Sequence, residues 1–254
     1  MKTSKTQGII IIVGIILIQL FYFGFDTIQL EDDSNQPIGE IEEGSIDIAH
    51  EIEDEVSHLS GADKDSVNVW MSSGSKDLWD QKQLAAFWSA KGKWVLAGYY
   101  TEQIALQQPS AENFAVAANT YATGLSDELN PEKRTFLSNK ALSLYDSAIE
   151  NSEDGYMLSL NKTLLMINYP QGNPMSSIQA LMKLSTDYPD RPQAFFHLGR
   201  LAIQTQQWDK AKSRLERAYE LNPMDQSTIC LLVEVYTALN ESTKKEEFTR
   251  LCNQ

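Results

Sequence analysis

The sequence predicts an all-α protein: a helical-hairpin repeat solenoid behind one N-terminal transmembrane helix. Three observations predict it. Residues 8–25 form one apolar run without a charged side chain. From about Ser66 onward, apolar residues recur at helical spacing in windows of about 12–16 residues, with almost no alternating strand pattern. Gly and Pro fall between these windows, and the clearest of them repeat at a period of about 34 residues.

The chain has 254 residues, of which 42% are hydrophobic and 9% aromatic. That is enough to bury a core, and it excludes wholesale disorder. The net charge is −14, from 21 Lys+Arg against 35 Asp+Glu. Such a balance argues against nonspecific binding to nucleic acid or to an anionic membrane surface. Two cysteines exclude a disulfide-rich scaffold and a four-thiolate zinc site.

Residues 1–7 and 8–25 come first. The run GIIIIVGIILIQLFYFGF has Gln19 as its one strongly polar side chain. As a helix it rises about 27 Å, close to a hydrocarbon core of about 30 Å. Phe21, Tyr22, Phe23 and Phe25 gather at its distal end, as in an interfacial belt. Lys2 and Lys5 precede it, while Asp26, Glu31, Asp32 and Asp33 follow. The positive-inside rule then places residues 1–7 in the cytoplasm. The rest is then expected across the membrane, on the side that in a didermic bacterium is the periplasm. A cleaved signal peptide is the alternative. Its basic start fits, but the apolar run exceeds the usual 7–15 or so residues and no small-residue cleavage site follows.

Residues 26–65 read as an acidic linker. They hold fourteen acids against Lys64 alone, whereas residues 66–254 hold 18 Lys+Arg against 21 Asp+Glu. Ser34, Asn35, Pro37 and Gly39 mark the first half as extended. The second half carries a short amphipathic helix over 45–60. Ser45 is its expected N-cap, and Ile48, Ile52, Val56 and Leu59 form one apolar stripe. That stripe has three outlets: the protein's own body, a second copy, or a partner. His50 and His58 flank it among acids and read as part of a solvated face.

Residues 66–254 form the repeat domain. The clearest unit spans 192–225. Phe195, Leu198, Gly199 and Ala202 share one face of a first helix, and Trp208 follows the turn. Ala211, Leu215 and Ala218 mark a second helix, and Pro223 closes it. Gly199 and Ala211 are small where the two helices cross. This pattern resembles the tetratricopeptide repeat, with Phe195 and Ala202 as departures from its usual residues.

One period earlier, Leu164, Leu165, Leu181, Leu184 and Pro189 fall in register around a long turn from Tyr169 to Pro174. Upstream, Phe114, Ala117, Ala118 and Tyr121 precede Ala141, Tyr145 and Ala148, with a loop expected near Leu125–Pro131. Leu84, Ala85 and Trp88, then Ala97, Ile104 and Pro109, form another unit turning at Lys91-Gly92-Lys93. Ile229, Leu232, Val233 and Tyr236 open a last hairpin, whose polar second helix near 242–252 suits a solenoid cap. The expected count is about four repeats plus this C-terminal capping hairpin. Trp70, Trp79, Trp88, Trp94 and Trp208 read mostly as core.

No nucleophile–base pairing, phosphate loop, zinc motif or C-x-x-C is present. The expectation is a protein that is not an enzyme and has no metal or cofactor. His197, on the first helix of the best unit, reads as a groove-lining or partly packed side chain. Cys230 and Cys252 lie on opposite arms of the last hairpin and are either disulfide-bonded or free.

The resemblance implies a concave wall built from first helices. Continuing from each apolar face places Lys82, Asn119, Lys162, Tyr169, Phe196, Arg200 and Glu234 on that wall. Within the family such Lys, Asn and Arg side chains hold a partner peptide's carboxylate. The function expected is therefore a membrane-anchored scaffold that binds a protein or peptide through the groove. A self-associating envelope protein is the alternative, with 45–60 or the cap as its interface. Further off stands an assembly factor for an envelope complex, such as cytochrome c maturation, a role the resemblance suggests.

Overall fold

The computed structural model describes residues 46–72 and 77–253, which belong to one compact unit, Glu43–Gln254. The expected anchor at 8–25 and most of the linker lie outside the described residues. Among the described residues no helix is long and apolar enough to cross a membrane.

Twelve α-helices follow one another there, with no strand: α1 Ile48–Ser57, α2 Gly61–Ser72, α3 Leu78–Ala90, α4 Trp94–Gln107, α5 Ala111–Thr123, α6 Pro131–Glu150, α7 Tyr156–Asn168, α8 Pro174–Asp187, α9 Pro192–Gln204, α10 Trp208–Leu221, α11 Gln226–Ala238 and α12 Ser242–Cys252. From α3 on they pair as five antiparallel hairpins, and each second helix also packs on the first helix of the next hairpin. This is the expected all-α solenoid, with α11–α12 as its end.

Local sequence explains the boundaries. Asp77, Ser110, Asn130, Asn173 and Asp225 cap helix N-termini by accepting backbone N–H groups. Pro131, Pro174 and Pro192 occupy the first turn, where a missing N–H costs nothing. The predicted loop near 125–131 is a short 3-10 turn, Gly124–Ser126, followed by the Asn130 cap. Three hairpins turn in the same way. Gly92, Gln206 and Asn240 all have positive φ, at 69°, 57° and 59°. The next N–H in each case, of Lys93, Gln207 or Glu241, donates five residues back, to Trp88, Ala202 or Tyr236. This is the αL ending that reverses a helix within a few residues.

The core runs the length of the stack as successive clusters. Leu84, Trp88, Leu96, Tyr121, Leu160, Leu181, Leu215 and Leu232 are almost fully buried. Each such leucine contributes about 1.5–3 kcal/mol. Close crossings need glycine. A Cβ on Gly199 would stand 2.5 Å from Leu215 Cγ, and one on Gly98 would strike the Tyr121 ring. Two inter-hairpin bonds repeat: the Tyr121 hydroxyl donates to Glu102 at 2.8 Å, and Tyr236 to Glu216 at 2.9 Å. Burial and these carboxylates push both phenol pKa values well up.

Several details differ from the sequence reading. Trp88 is buried, but Trp79 is 61% exposed. It sits in the first turn of α3, well round from the Leu84–Ala85–Trp88 face. Asp47, not Ser45, caps α1 through Oδ1 to Ala49 and His50 N–H. The folded unit also starts before residue 66. Ile52, Val56 and Leu59 pack on the first hairpin's core and Ile48 on the second's. The stripe of 45–60 thus lies on the protein's own body, and α2 adds the buried Val67.

Candidate functional site

The wall to test is the row of first helices α3, α5, α7, α9 and α11. Within it α9 touches α11 directly. Because side chains three and four apart share a helix face, buried residues such as Ala194, Leu198 and Ala202 leave Phe196 and Arg200 on another face of α9.

Among the predicted wall residues, Lys82, Asn119, Arg200 and Glu234 are exposed, and Lys162, Tyr169 and Phe196 are half-buried. The structure does not make one carboxylate clamp of Asn119, Lys162 and Arg200. Asn119 Oδ1 accepts from the Tyr145 hydroxyl at 2.5 Å, and Lys162 Nζ reaches Asp146 Oδ1 at 2.5 Å. Both are thereby tied to neighbouring positions on α6. Among the described residues Arg200 and Lys82 have no such ion pair. Tyr169 ends α7 at the hairpin-corner edge, where the Arg134 guanidinium lies 5.9 Å from its ring.

One recess on this row lies between α9 and the start of α11. A cleft of about 300 Å³ is lined by Gln193, Phe196, His197, Asp225, Ser227 and Thr228 among others. Phe196 and His197 stack edge to face at 5.1 Å. Burial, with a smaller effect of Arg200, lowers the His197 pKa from 6.5 to about 4. The imidazole is therefore neutral at physiological pH and offers one donor and one acceptor. Gln193 Oε1 is buried in the same recess and has no hydrogen-bond partner among the described residues.

The sequence reading missed Gln193, Asp225 and Thr228. One signal was available: Asp225 caps α11 by accepting the Thr228 N–H at 3.0 Å and the Thr228 hydroxyl. An Asp three residues before a Thr at a helix start carries that pattern. Among the described residues no group of three or more His, Cys, Asp and Glu side chains is placed to hold a metal ion. His50 and His58 are exposed on α1, and His58 Nδ1 faces the Asp54 carbonyl. Cys230 and Cys252 are joined by a disulfide, with Cα atoms 5.1 Å apart. Packed helix axes lie about 8–10 Å apart, but Cys252 is the last residue of α12, where the Gln226 amide of α11 donates to the Leu251 and Cys252 carbonyls.

No family model matches the chain, and no curated protein matches it in sequence. Solved structures do match in fold. PilF of Pseudomonas aeruginosa aligns with TM-score 0.50 and 18% identity, over 76% of this chain and 78% of that one. A tetratricopeptide-repeat protein of Thermus thermophilus aligns with TM-score 0.47 and 18% identity, over 68% and 88%. MamA of Desulfovibrio magneticus RS-1 aligns with TM-score 0.47 and 17% identity, over 70% and 97%. With five stacked hairpins, small residues at the crossings and recurrent αL turns, the chain has the fold of the tetratricopeptide-repeat superfamily.

Proposed function

We propose that this chain is a membrane-anchored scaffold whose first-helix wall binds a protein or peptide partner outside the bacterial inner membrane. The observation that carries the reading is the recess on α9–α11. There the Phe196 ring and the neutral His197 imidazole lie one turn from Arg200, the buried Gln193 amide oxygen lies two turns away, and among the described residues the Arg200 guanidinium has no ion-pair partner. A peptide strand supplies the matching groups: apolar side chains, backbone N–H donors and carboxylates. Bound material needs no turnover there, so the reading is of a binding protein and not of an enzyme.

Residues 8–25 are the proposed anchor, with Lys2 and Lys5 on the cytoplasmic side. The disulfide suits an oxidising compartment, in keeping with a periplasmic domain. Self-association through 45–60 loses its surface, because Ile52, Val56 and Leu59 are already packed within the chain.

Photocrosslinking in the native host tests the site. A crosslinker at Phe196 or Arg200 should capture a discrete protein, and one at the exposed Lys183 on α8 should not. Equal capture from all three positions, or none from any, would reject the wall. Reporter fusions after Gln254 test the topology: activity of a cytoplasmic reporter would reject the outward orientation.

A further inference from the structure

The hairpin corners of this solenoid form an edge, and that edge already holds one helix. α1 crosses the notch between the corner at Gly92–Leu96 and the corner at Gly124–Lys133. Its carboxylates Glu51 and Glu55, one turn apart, pair with Lys133 and Lys93. Its apolar stripe faces the two cores beneath. An acidic amphipathic helix is thus the ligand that one notch of this edge demonstrably accepts.

The next notch lies on the other side of the same corner. It is a cavity of about 390 Å³ whose lining includes Leu125, Leu129, Arg134, Thr135, Tyr169 and Pro170. Leu129 is 90% exposed. Lys133 turns to the first notch and meets Glu51, whereas its neighbour Arg134 turns to the second and, among the described residues, meets the Tyr169 ring and no carboxylate. Asp127 and Glu128 line the first notch and are not part of the second. The second notch resembles the first in setting a cation at its rim beside apolar side chains, here Leu129 and Tyr169, although Asn168 and Gln171 also line it. The difference is that, among the described residues, its cation has no carboxylate partner.

We propose that the notch between the 125–135 corner and the 168–171 corner docks an acidic amphipathic helix of a partner protein, seated as α1 is seated one notch earlier. Arg134 pairs with a carboxylate of that helix, and its aliphatic side chains cover Leu129 and Tyr169. A basic helix meets repulsion from Arg134. A wholly apolar one covers the guanidinium and leaves it unpaired, which is costly. The site is separate from the first-helix wall and stands whether or not that wall binds anything.

The probe is a fluorescent peptide of α1 itself, IDIAHEIEDEVSHL (residues 46–59), titrated with the full-length chain and followed by anisotropy. Saturable binding is expected. It should weaken about tenfold or more, roughly 1.4 kcal/mol, on Arg134→Glu or Leu129→Ser. A peptide with its glutamates changed to glutamine should weaken likewise, and Arg200→Glu should change nothing. Leu129 and Arg134 are exposed, so the variants should fold, and an unchanged circular-dichroism spectrum is required of each before its binding is compared. Loss on Lys93→Glu or Lys133→Glu without loss on Arg134→Glu would mean exchange with α1 in the first notch, and overturns the proposal. Binding indifferent to all four substitutions, or no saturable binding, also overturns it.

Discussion

Two positions on α9 show how much a single residue decides. Gly199 lets α9 approach α10 so closely that an added Cβ stands 2.5 Å from Leu215 Cγ. Leu215 is fully buried and has little room to move. Gly199→Ala should therefore destabilise the protein by about 1–3 kcal/mol in urea unfolding, despite its higher helix propensity. His197 makes the other test. Its folded pKa is near 4 against 6.5 unfolded, so the unfolded chain takes up the proton first. Stability from this group is present above about pH 6.5 and is lost as pH falls toward 4. Partial exposure to solvent limits the effect to about 1–2 kcal/mol. His197→Gln should flatten the stability–pH curve within that window; an unchanged slope would mean the imidazole is as well solvated folded as unfolded. Gly199 was legible in the sequence because Leu198 and Leu215 placed it at a crossing. Gly98 was not, since its partner Tyr121 belongs to the next hairpin and no spacing announces that contact.

At the level of elements, the hairpin corners carry the most information. Gly92 takes its positive φ without strain, while Gln206 adopts the same backbone with a Cβ. Gln206→Gly should raise stability by about 0.5–1 kcal/mol, read as a higher urea midpoint with unchanged slope. A loss would show that the Gln206 side chain holds the corner. The helices of the five hairpins were legible because amphipathic period, caps and prolines all agree locally. The corner at Gly124–Asn130 was legible as an interruption. The seat of α1 was not. Its stripe of Ile48, Ile52, Val56 and Leu59 is compatible with any apolar surface, and Lys93 and Lys133, which select this one, lie about 40 and 80 residues away. The candidate site was legible for the same reason only in part. Phe196 and Arg200 follow from the pattern of one helix, whereas the recess needs the N-terminus of α11 beside it. Likewise, Asn119 and Lys162 fit the wall by spacing until Tyr145 and Asp146 claim them.

Over the whole molecule, the solenoid transmits stability between neighbours alone. Each hairpin contacts the one before and the one after, so loss of one end should be felt over a limited distance. The two ends are secured differently. At the start α1 bridges the first two hairpins through Glu55–Lys93 and Glu51–Lys133. At the finish the disulfide closes α11 on α12 across 22 residues of sequence. A loop of that length predicts about 3 kcal/mol of stabilisation. Reduction, or Cys252→Ser, should therefore release the capping hairpin first. Hydrogen exchange measured with and without reductant should quicken in α11 and α12 and, more weakly, in α10, which supports Tyr236 through Glu216. Helices α3 to α6 should exchange at unchanged rates, because two hairpins separate them from the cap in the stack. Acceleration spread evenly over all hairpins would instead mean that the stack unfolds as one cooperative block. The outcome also bears on binding, since the recess lies between α9 and the N-terminus of α11. If the cap opens locally on reduction, a partner held in that recess should be released under reducing conditions while the fold of the first three hairpins persists.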